Sequence, residues 1–321
     1  MKNIALVTSL FALLYSCGQV HVEKSAPVTG NLILFLEARG SDGLLSHPFG
    51  DVVLMDVDKR EKYFLTDDRF FDYSPTISPD GRMVLFDSNR VGGPLALKVK
   101  GAGGPHEVYV YEIDKQTSRR VDSQTSRKHR SLVSGLFQQL RWHPEGRSAL
   151  FVEENALVQW DITSDSVWVF KRFEGFSRIL DYSLSVHGDS VLALLSSEKG
   201  LTAILYNRRD DRTVILPDSL SFASRWINGG QTLFGWENGF VEYDLSIGAR
   251  RKFRTPQFVI EHVAGGSVHL LDGRIVVLAS KDRDGVPDNL LIYDPKDGSA
   301  EWLTNDSEEK GQLSLVPVRN P

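Results

Sequence analysis

The chain has 321 residues, 41% hydrophobic and 25% charged, with a formal net charge of −5. That mild acidity, with a single short basic stretch near residue 128, argues against nucleic acid as the main partner. The apolar content is enough for a large core, and glycines and prolines are spread along the chain rather than gathered into one linker, so a single domain over residues 30–321 is expected.

In chain order, the first segment reads as an export signal. Lys2 supplies a positive start and Ile4 to Tyr15 is almost entirely apolar. That run is shorter than the roughly 20 residues a membrane-spanning helix needs and suits a signal-peptide core. Its end, Leu14-Tyr15-Ser16-Cys17-Gly18, resembles the lipobox of bacterial lipoproteins. The resemblance implies a signal peptide over 1–16, lipidation of Cys17, and a lipidated tether over 17–29. Acyl chains at about 0.8 kcal/mol per buried CH₂ make a durable anchor. Cys17 is the one cysteine in the chain, so no internal disulfide competes with that role. The alternative is an ordinary secretory signal. Cleavage removes only Lys2 among charged residues and moves the net charge from −5 to −6. Gly18, where an aspartate retains many lipoproteins at the inner membrane, favours the outer membrane, with the periplasmic and surface faces both open.

From residue 30 the chain repeats itself. An alternating apolar strand ends in an acidic or amide residue, a short polar turn follows, and another strand begins. The copies are VVLMDVDKREKYFLT, VYVYEIDKQTSRRV, LVQWDITSDSVWVF, AILYNRRDDRTVIL, FVEYDLSIGARRKF and LLIYDPKDGSAEWLT. Their equivalent residues are Asp56, Glu112, Asp161, Asn207, Asp244 and Asp294, spaced by 56, 49, 46, 37 and 50 residues. Such intervals suit one four-stranded propeller blade.

A second element precedes most copies, most clearly YSPTISPDGRMVLFDSNR from Tyr73 to Arg90. Proline pre-sets φ at the first central position of a turn, Asp caps it, and Gly takes the φ > 0 position. The Val, Leu and Phe that follow make a half-buried strand. This segment is similar to the repeat of TolB-like propellers, with LASKDRDGVPDNLLIYDPKDGSAEWLT the next best match. The resemblance implies an all-β fold, a six-bladed β-propeller covering residues 30–321. NLILFLEARG matches a second strand lacking a first, and GQLSLVPVRN a first strand lacking a successor. Together the N- and C-terminal strands would complete one blade and hide two sheet edges. An open β-sandwich is the competing architecture.

TolB-like blades also precede the hydrolase domain of prolyl-oligopeptidase-type peptidases, for which this chain has no room, and no G-x-S-x-G elbow is present. The architecture also resembles oligogalacturonate lyases, which hold a metal through several histidines. The eight histidines here show no close pairing of the kind that converging ligands usually need. No cofactor is required on this reading. Asp282, Asp284 and Asp288, in a D-x-D-G-x-x-D run, offer carboxylates to a structural calcium, or form a plain turn between strands. Matching the copies places Asp72, Gln138, Asp181, Arg225, Glu261 and His262 at the mouth of the central channel, where a polar or cationic ligand would meet them, or where they only solvate a water-filled channel. Insertions at 91–106 and 123–135 are long enough to carry binding. The expectation is a monomeric, non-enzymatic envelope lipoprotein that binds a protein, a peptide or another ligand and meets the membrane through its lipid anchor alone. The alternative is a carbohydrate-active enzyme, lyase- or hydrolase-like, working at the channel mouth.

Overall fold

The computed structural model describes residues 30–37, 50–68, 70–90, 106–125, 139–185, 187–216, 225–227, 232–236, 240–245, 248–252, 263–270, 272–279, 289–306 and 310–315. Their regular structure is almost entirely strand. The first three strands are β1 (Leu32–Glu37), β2 (Asp51–Asp56) and β3 (Glu61–Phe64). Then come β4 (Asp72–Ile77), β5 (Met83–Ser88), β6 (Glu107–Glu112) and β7 (Thr117–Arg120). The next group is β8 (Arg141–Trp142), β9 (Ser148–Glu153), β10 (Ala156–Asp161) and β11 (Val167–Arg172). It is followed by β12 (Arg178–Leu184), β13 (Ser190–Ser197), β14 (Gly200–Asn207) and β15 (Arg212–Ile215). Last are β16 (Arg225–Ile227), β17 (Thr232–Trp236), β18 (Phe240–Asp244), β19 (Ala249–Lys252), β20 (Val263–His269), β21 (Ile275–Ala279), β22 (Asn289–Tyr293), β23 (Ala300–Trp302) and β24 (Lys310–Leu315).

They pair into six four-stranded antiparallel sheets. Five are built from strands consecutive in sequence. The sixth has the order β24-β1-β2-β3, so the strand nearest the C-terminus lies beside the one nearest the N-terminus, with Ile33 opposite Leu315 and Glu37 opposite Lys310. The fold is all-β and propeller-like.

The side chains of β1 show why a propeller reads as it does. Successive residues on a strand point to opposite faces. Leu32, Leu34 and Leu36 pack into a cluster with Ile77, Val84 and Phe86 of the following sheet. Ile33 and Phe35 pack with Val276, Leu278 and Leu290 of β21 and β22. Both faces are buried, so Leu32 to Leu36 are all apolar instead of alternating. Each fully buried residue of this kind contributes about 1.5–3 kcal/mol relative to exposure. Comparable clusters join the β4–β7 sheet to the β8–β11 sheet and that one to the β12–β15 sheet.

The repeated acidic or amide residue is a turn device. Asp56 Oδ1 accepts the Lys59 N–H at 3.0 Å, Asp161 Oδ1 those of Thr163 and Ser164, Asn207 Oδ1 that of Arg209, and Asp294 Oδ1 that of Lys296. Glu112, longer by a methylene, instead holds Lys115 and Arg119 in ion pairs. In all six hairpins a residue at or just before the fourth strand is left-handed: Arg60, Gln116, Asp165, Asp211, Gly248 and Gly298 have φ between 51° and 78°. The S-P-D-G turn behaves as its chemistry suggests. The Gly81 N–H bonds to the Ser78 carbonyl at 2.8 Å, and Ser78 Oγ accepts the Met83 N–H at 2.9 Å. The degenerate copies keep the first bond, Gly146 to His143 at 2.8 Å and Gly188 to Ser185 at 2.9 Å.

Candidate functional site

Strand direction brings the first residues of the innermost strands to one pole. Asp72 opens β4 opposite Ser88, which ends β5. Lys310 opens β24 opposite Glu37, which ends β1. A lone bridge between Gly50 and Asp72 ties these two sheets together at the same end.

The innermost strands are irregular just inside this pole. The ladder between β4 and β5 slips between Tyr73 and Thr76, and that between β12 and β13 slips between Ile179 and Asp181. β24 carries an extra residue between Gly311 and Ser314 where it pairs with β1, and β20 slips between Val263 and Ser267. A bulge leaves a residue unpaired and re-aims its side chain. Ser74, in the β4 bulge, has φ 47°, and Gln139, just before β8, has φ 73°. Non-glycine residues in that region are held there by their surroundings and cluster at functional sites.

These irregular residues line one cavity of about 280 Å³. Ser74, Pro75 and Thr76 come from β4, Gln139, Leu140 and Arg141 from the start of β8, Leu180 and Asp181 from β12, and Leu313 and Ser314 from β24. Four innermost strands therefore contribute. The Gln139 N–H donates to Ser74 Oγ at 3.3 Å, its side-chain amide donates to the Leu180 carbonyl, and its Oε1 is buried with no partner among the described residues. The Tyr182 hydroxyl is within donating reach of the Gln139 carbonyl at 2.7 Å and of that of Leu150 at 2.8 Å. Arg141 Nη2 reaches Asp181 Oδ1 at 3.3 Å, with its guanidinium 5.4 Å from the Tyr182 ring centre. The Arg141 and Asp181 side chains are 26% and 29% exposed, so this is the charged pair that a ligand in the cavity can reach.

Two further ionic clusters lie at the pole, outside the cavity lining. Arg90 bonds to Asp72 at 2.5 Å and to Asp68 at 2.5 Å, and its guanidinium lies 5.3–5.6 Å from the rings of Phe70, Phe86 and Tyr109. Burial raises the Asp72 carboxyl to about 6 despite the opposing charge of Arg90. Carboxylate oxygens of Asp51, Asp68 and Asp72 come within 4.8 Å of one another, and Arg90 is the cation the chain places among them. Behind them Asp87 lies 3.5 Å from His106, both buried, and complete burial together with the Asp72 charge holds the Asp87 carboxyl well above the carboxylate range. The second cluster is a square of alternating charge: Lys62 meets Glu37 at 2.5 Å and Asp306 at 2.9 Å, and the fully buried Lys310 meets both carboxylates from the other side.

Of the residues expected at the channel mouth, Asp181 lines the cavity. Asp72 does not, which corrects the sequence reading: it has 0% exposure and is turned into the seam between two sheets, where Arg90 neutralises it. Gln138 lies outside the described residues, and Gln139 next to it lines the cavity. Arg225 opens β16, but only its backbone is described. Glu261, His262, Cys17 and the segment with Asp282, Asp284 and Asp288 lie outside the described residues. Sequence reasoning missed Arg141, Ser74 and Leu313.

No protein-family model matches the chain and no curated protein matches it. Solved structures do. The structure of putative TolB from Agrobacterium tumefaciens aligns with a TM-score of 0.54 and 11% identity, over 91% of this chain and 100% of that one. A chain of the nidogen/laminin complex aligns with a TM-score of 0.62 and 7% identity, over 89% and 98%. TolB from Acinetobacter baumannii aligns at 16% identity and a TM-score of 0.48, over 70% of this chain and 63% of that one. The chain thus spans less than two thirds of that relative's length. At these identities the likeness is one of fold.

Proposed function

We propose that this chain is a binding propeller of the cell envelope, its six sheets being the six blades of a ring closed by β24 and β1. The ligand enters the cavity where the innermost strands bulge. The observation that carries this reading is the convergence of Ser74 and Gln139, two left-handed non-glycine residues, on one cavity that also holds the Arg141–Asp181 pair. A fold maintained at the cost of two such conformations is expected to use them. Rigid blades with irregular inner strands suit recognition of an envelope protein or peptide without chemistry.

On this reading the mature protein starts at lipidated Cys17 and is held at the outer membrane by its acyl chains, as a monomer. The Asp282–Asp288 run stays open between a structural calcium site and a turn. Calorimetry with calcium and with chelator separates the two: a site raises the unfolding temperature and loses the effect in Asp284→Asn, whereas a turn moves neither.

The test is capture from detergent-solubilised envelope with the native lipidated protein, beside a Ser314→Trp variant that fills the cavity. Loss of a reproducible partner in the variant supports the reading. An unchanged set of partners moves binding away from the cavity. Turnover of envelope glycans by the wild type, absent in the variant, would replace binding with the carbohydrate-active alternative.

A further inference from the structure

We infer that the outer strands β11 and β15 form a contact surface for a bilayer that carries anionic lipid. This surface lies at the far end of two sheets that build the cavity: β8 and β12 are their innermost strands, β11 and β15 their outermost. Among the described residues, six of the seven large hydrophobic side chains left exposed belong to these two sheets. Val167, Trp168 and Val169 are on β11, Val214 and Ile215 on β15, and Leu201 on β14. On the flanking sheets the outermost strand is guarded by charge: β7 reads TSRR and β19 reads ARRK, and charged side chains on an edge deter other chains. β11 reads VWVFKR and β15 reads RTVI. An exposed apolar cluster with a polar rim marks a contact surface.

Register decides what shape of partner covers it. Residues directly opposite in a sheet share a face. Val167 and Val169 stand opposite Trp160 and Val158, which pack toward the β4–β7 sheet. Trp168 stands opposite Gln159, on the other face. Ile215 stands opposite Ile204, which packs toward the β8–β11 sheet, and Val214 opposite Leu205, which packs toward the β16–β19 sheet. Both strands thus expose apolar side chains on both faces. A segment lodged in the groove between the two sheets would reach Trp168 and Ile215 alone, and a strand added to one edge would cover one sheet. A plane that meets the strands edge-on reaches all five residues. Lys171 ties the two sheets together at this rim, its Nζ 2.7 Å from Asp211 and 4.3 Å from the Tyr206 ring centre.

Charge decides which plane. β7, β11, β15 and β19, the outermost strands of four sheets joined in series by core clusters, hold eight arginines and lysines and no carboxylate. The whole chain, by contrast, has a net charge of −5. Where Arg119 and Arg120 pair with Glu112 and Glu107, the carboxylates are the more buried partners, so cations form the outward layer. Tryptophan settles at the headgroup level of a bilayer, and each Lys or Arg close to an anionic surface is worth about fivefold in affinity.

The test is flotation with lipid vesicles of residues 17–321, which hold every described strand, carrying Cys17→Ala so that no acyl chain contributes. Vesicles of phosphatidylcholine mixed with phosphatidylglycerol are compared with phosphatidylcholine alone. The chain is expected to float with the mixed vesicles, and less so as salt is raised. Trp168→Ser combined with Ile215→Ser should weaken binding tenfold or more. Phe64→Ser, exposed on the outermost strand of the first sheet, should bind as the wild type does. Arg212→Gln combined with Lys252→Gln should lose most of the preference for the mixed vesicles. Circular dichroism reports folding, and if the double serine variant does not fold, the half-exposed Val169 supplies Val169→Ser in its place. No flotation with the mixed vesicles overturns the inference, as does undiminished binding by the serine variant or an equal loss in Phe64→Ser. Capture of a protein through Trp168 and Ile215 without flotation would make this a protein interface and overturn the bilayer reading.

Discussion

Lys310 and Glu37 face each other across the seam between the last described strand and the first, Nζ to Oε2 at 3.7 Å, and both are buried. Among the described residues, Lys310 is the one lysine with a fully buried side chain. Replacing it with alanine leaves Glu37 and Asp306 to share Lys62, so each carboxylate keeps one of its two partners. Lys310→Ala is therefore expected to lose about 1.5–3 kcal/mol in urea denaturation, the worth of a hydrogen bond to a charged group. Lys62→Ala, whose side chain is 22% exposed, should lose clearly less. Equal losses would show that the buried lysine is not the keystone of the square.

Asp72 gives a pH signature. Its folded pKa is raised to about 6 against about 3.9 in an unfolded chain. The folded state therefore binds the extra proton between about pH 4 and 6, and stability from this group falls as pH rises through that window. The effect is up to about 3 kcal/mol, at about 1.4 kcal/mol per unit of pKa. Asp72→Asn abolishes it. The advantage of wild type over Asp72→Asn should be larger at pH 4 than at pH 7, read by denaturant midpoints at each pH. A constant difference would mean that Arg90 holds the group ionised throughout.

Gly188 and Gly200 both have positive φ, 70° and 116°, but differ in what surrounds them. A Cβ at Gly188 would lie 2.5 Å from Nε2 of His143, whereas one at Gly200 meets nothing within 4 Å. Gly200→Ala should cost about 1–2 kcal/mol from the backbone alone. Gly188→Ala should cost a further 1–3 kcal/mol, because buried His143 must shift. Similar thermal midpoints for the two would show that the imidazole moves freely.

Lipidation of Cys17 predicts partitioning. Full-length protein expressed in a bacterial host should enter the detergent phase of a cloud-point separation, and Cys17→Ala the aqueous phase. Aqueous partitioning of both would leave an ordinary secretory signal as the reading of residues 1–16.

The fold was legible because its turns are chemical. Asp56, Asp161, Asn207 and Asp294 each sit where a side-chain oxygen is needed to hold a hairpin, so the repeat could be counted from them. The pairing of β24 with β1 was legible for a similar reason: each terminal segment looked like part of one sheet. The site was less legible. The bulges in β4, β12 and β24 re-aim the residues that line the cavity, and no period in the sequence marks where they fall. Asp72 was read as a mouth residue because nothing marks Arg90, 18 positions later, as its partner. Arg141 was missed because β8 is only two residues long and offers no alternation to read.

The pairing of β24 with β1 also fixes an order of events. Strands β1 to β3 emerge first, yet their inner neighbour is made of residues 310–315. Until those residues arrive, Ile33 and Phe35 have an open edge beside them and wait for the wall formed by β21 and β22. An exposed apolar edge invites pairing with other chains. Under the export proposed above, this delay keeps the first sheet from being completed before the rest of the chain has followed.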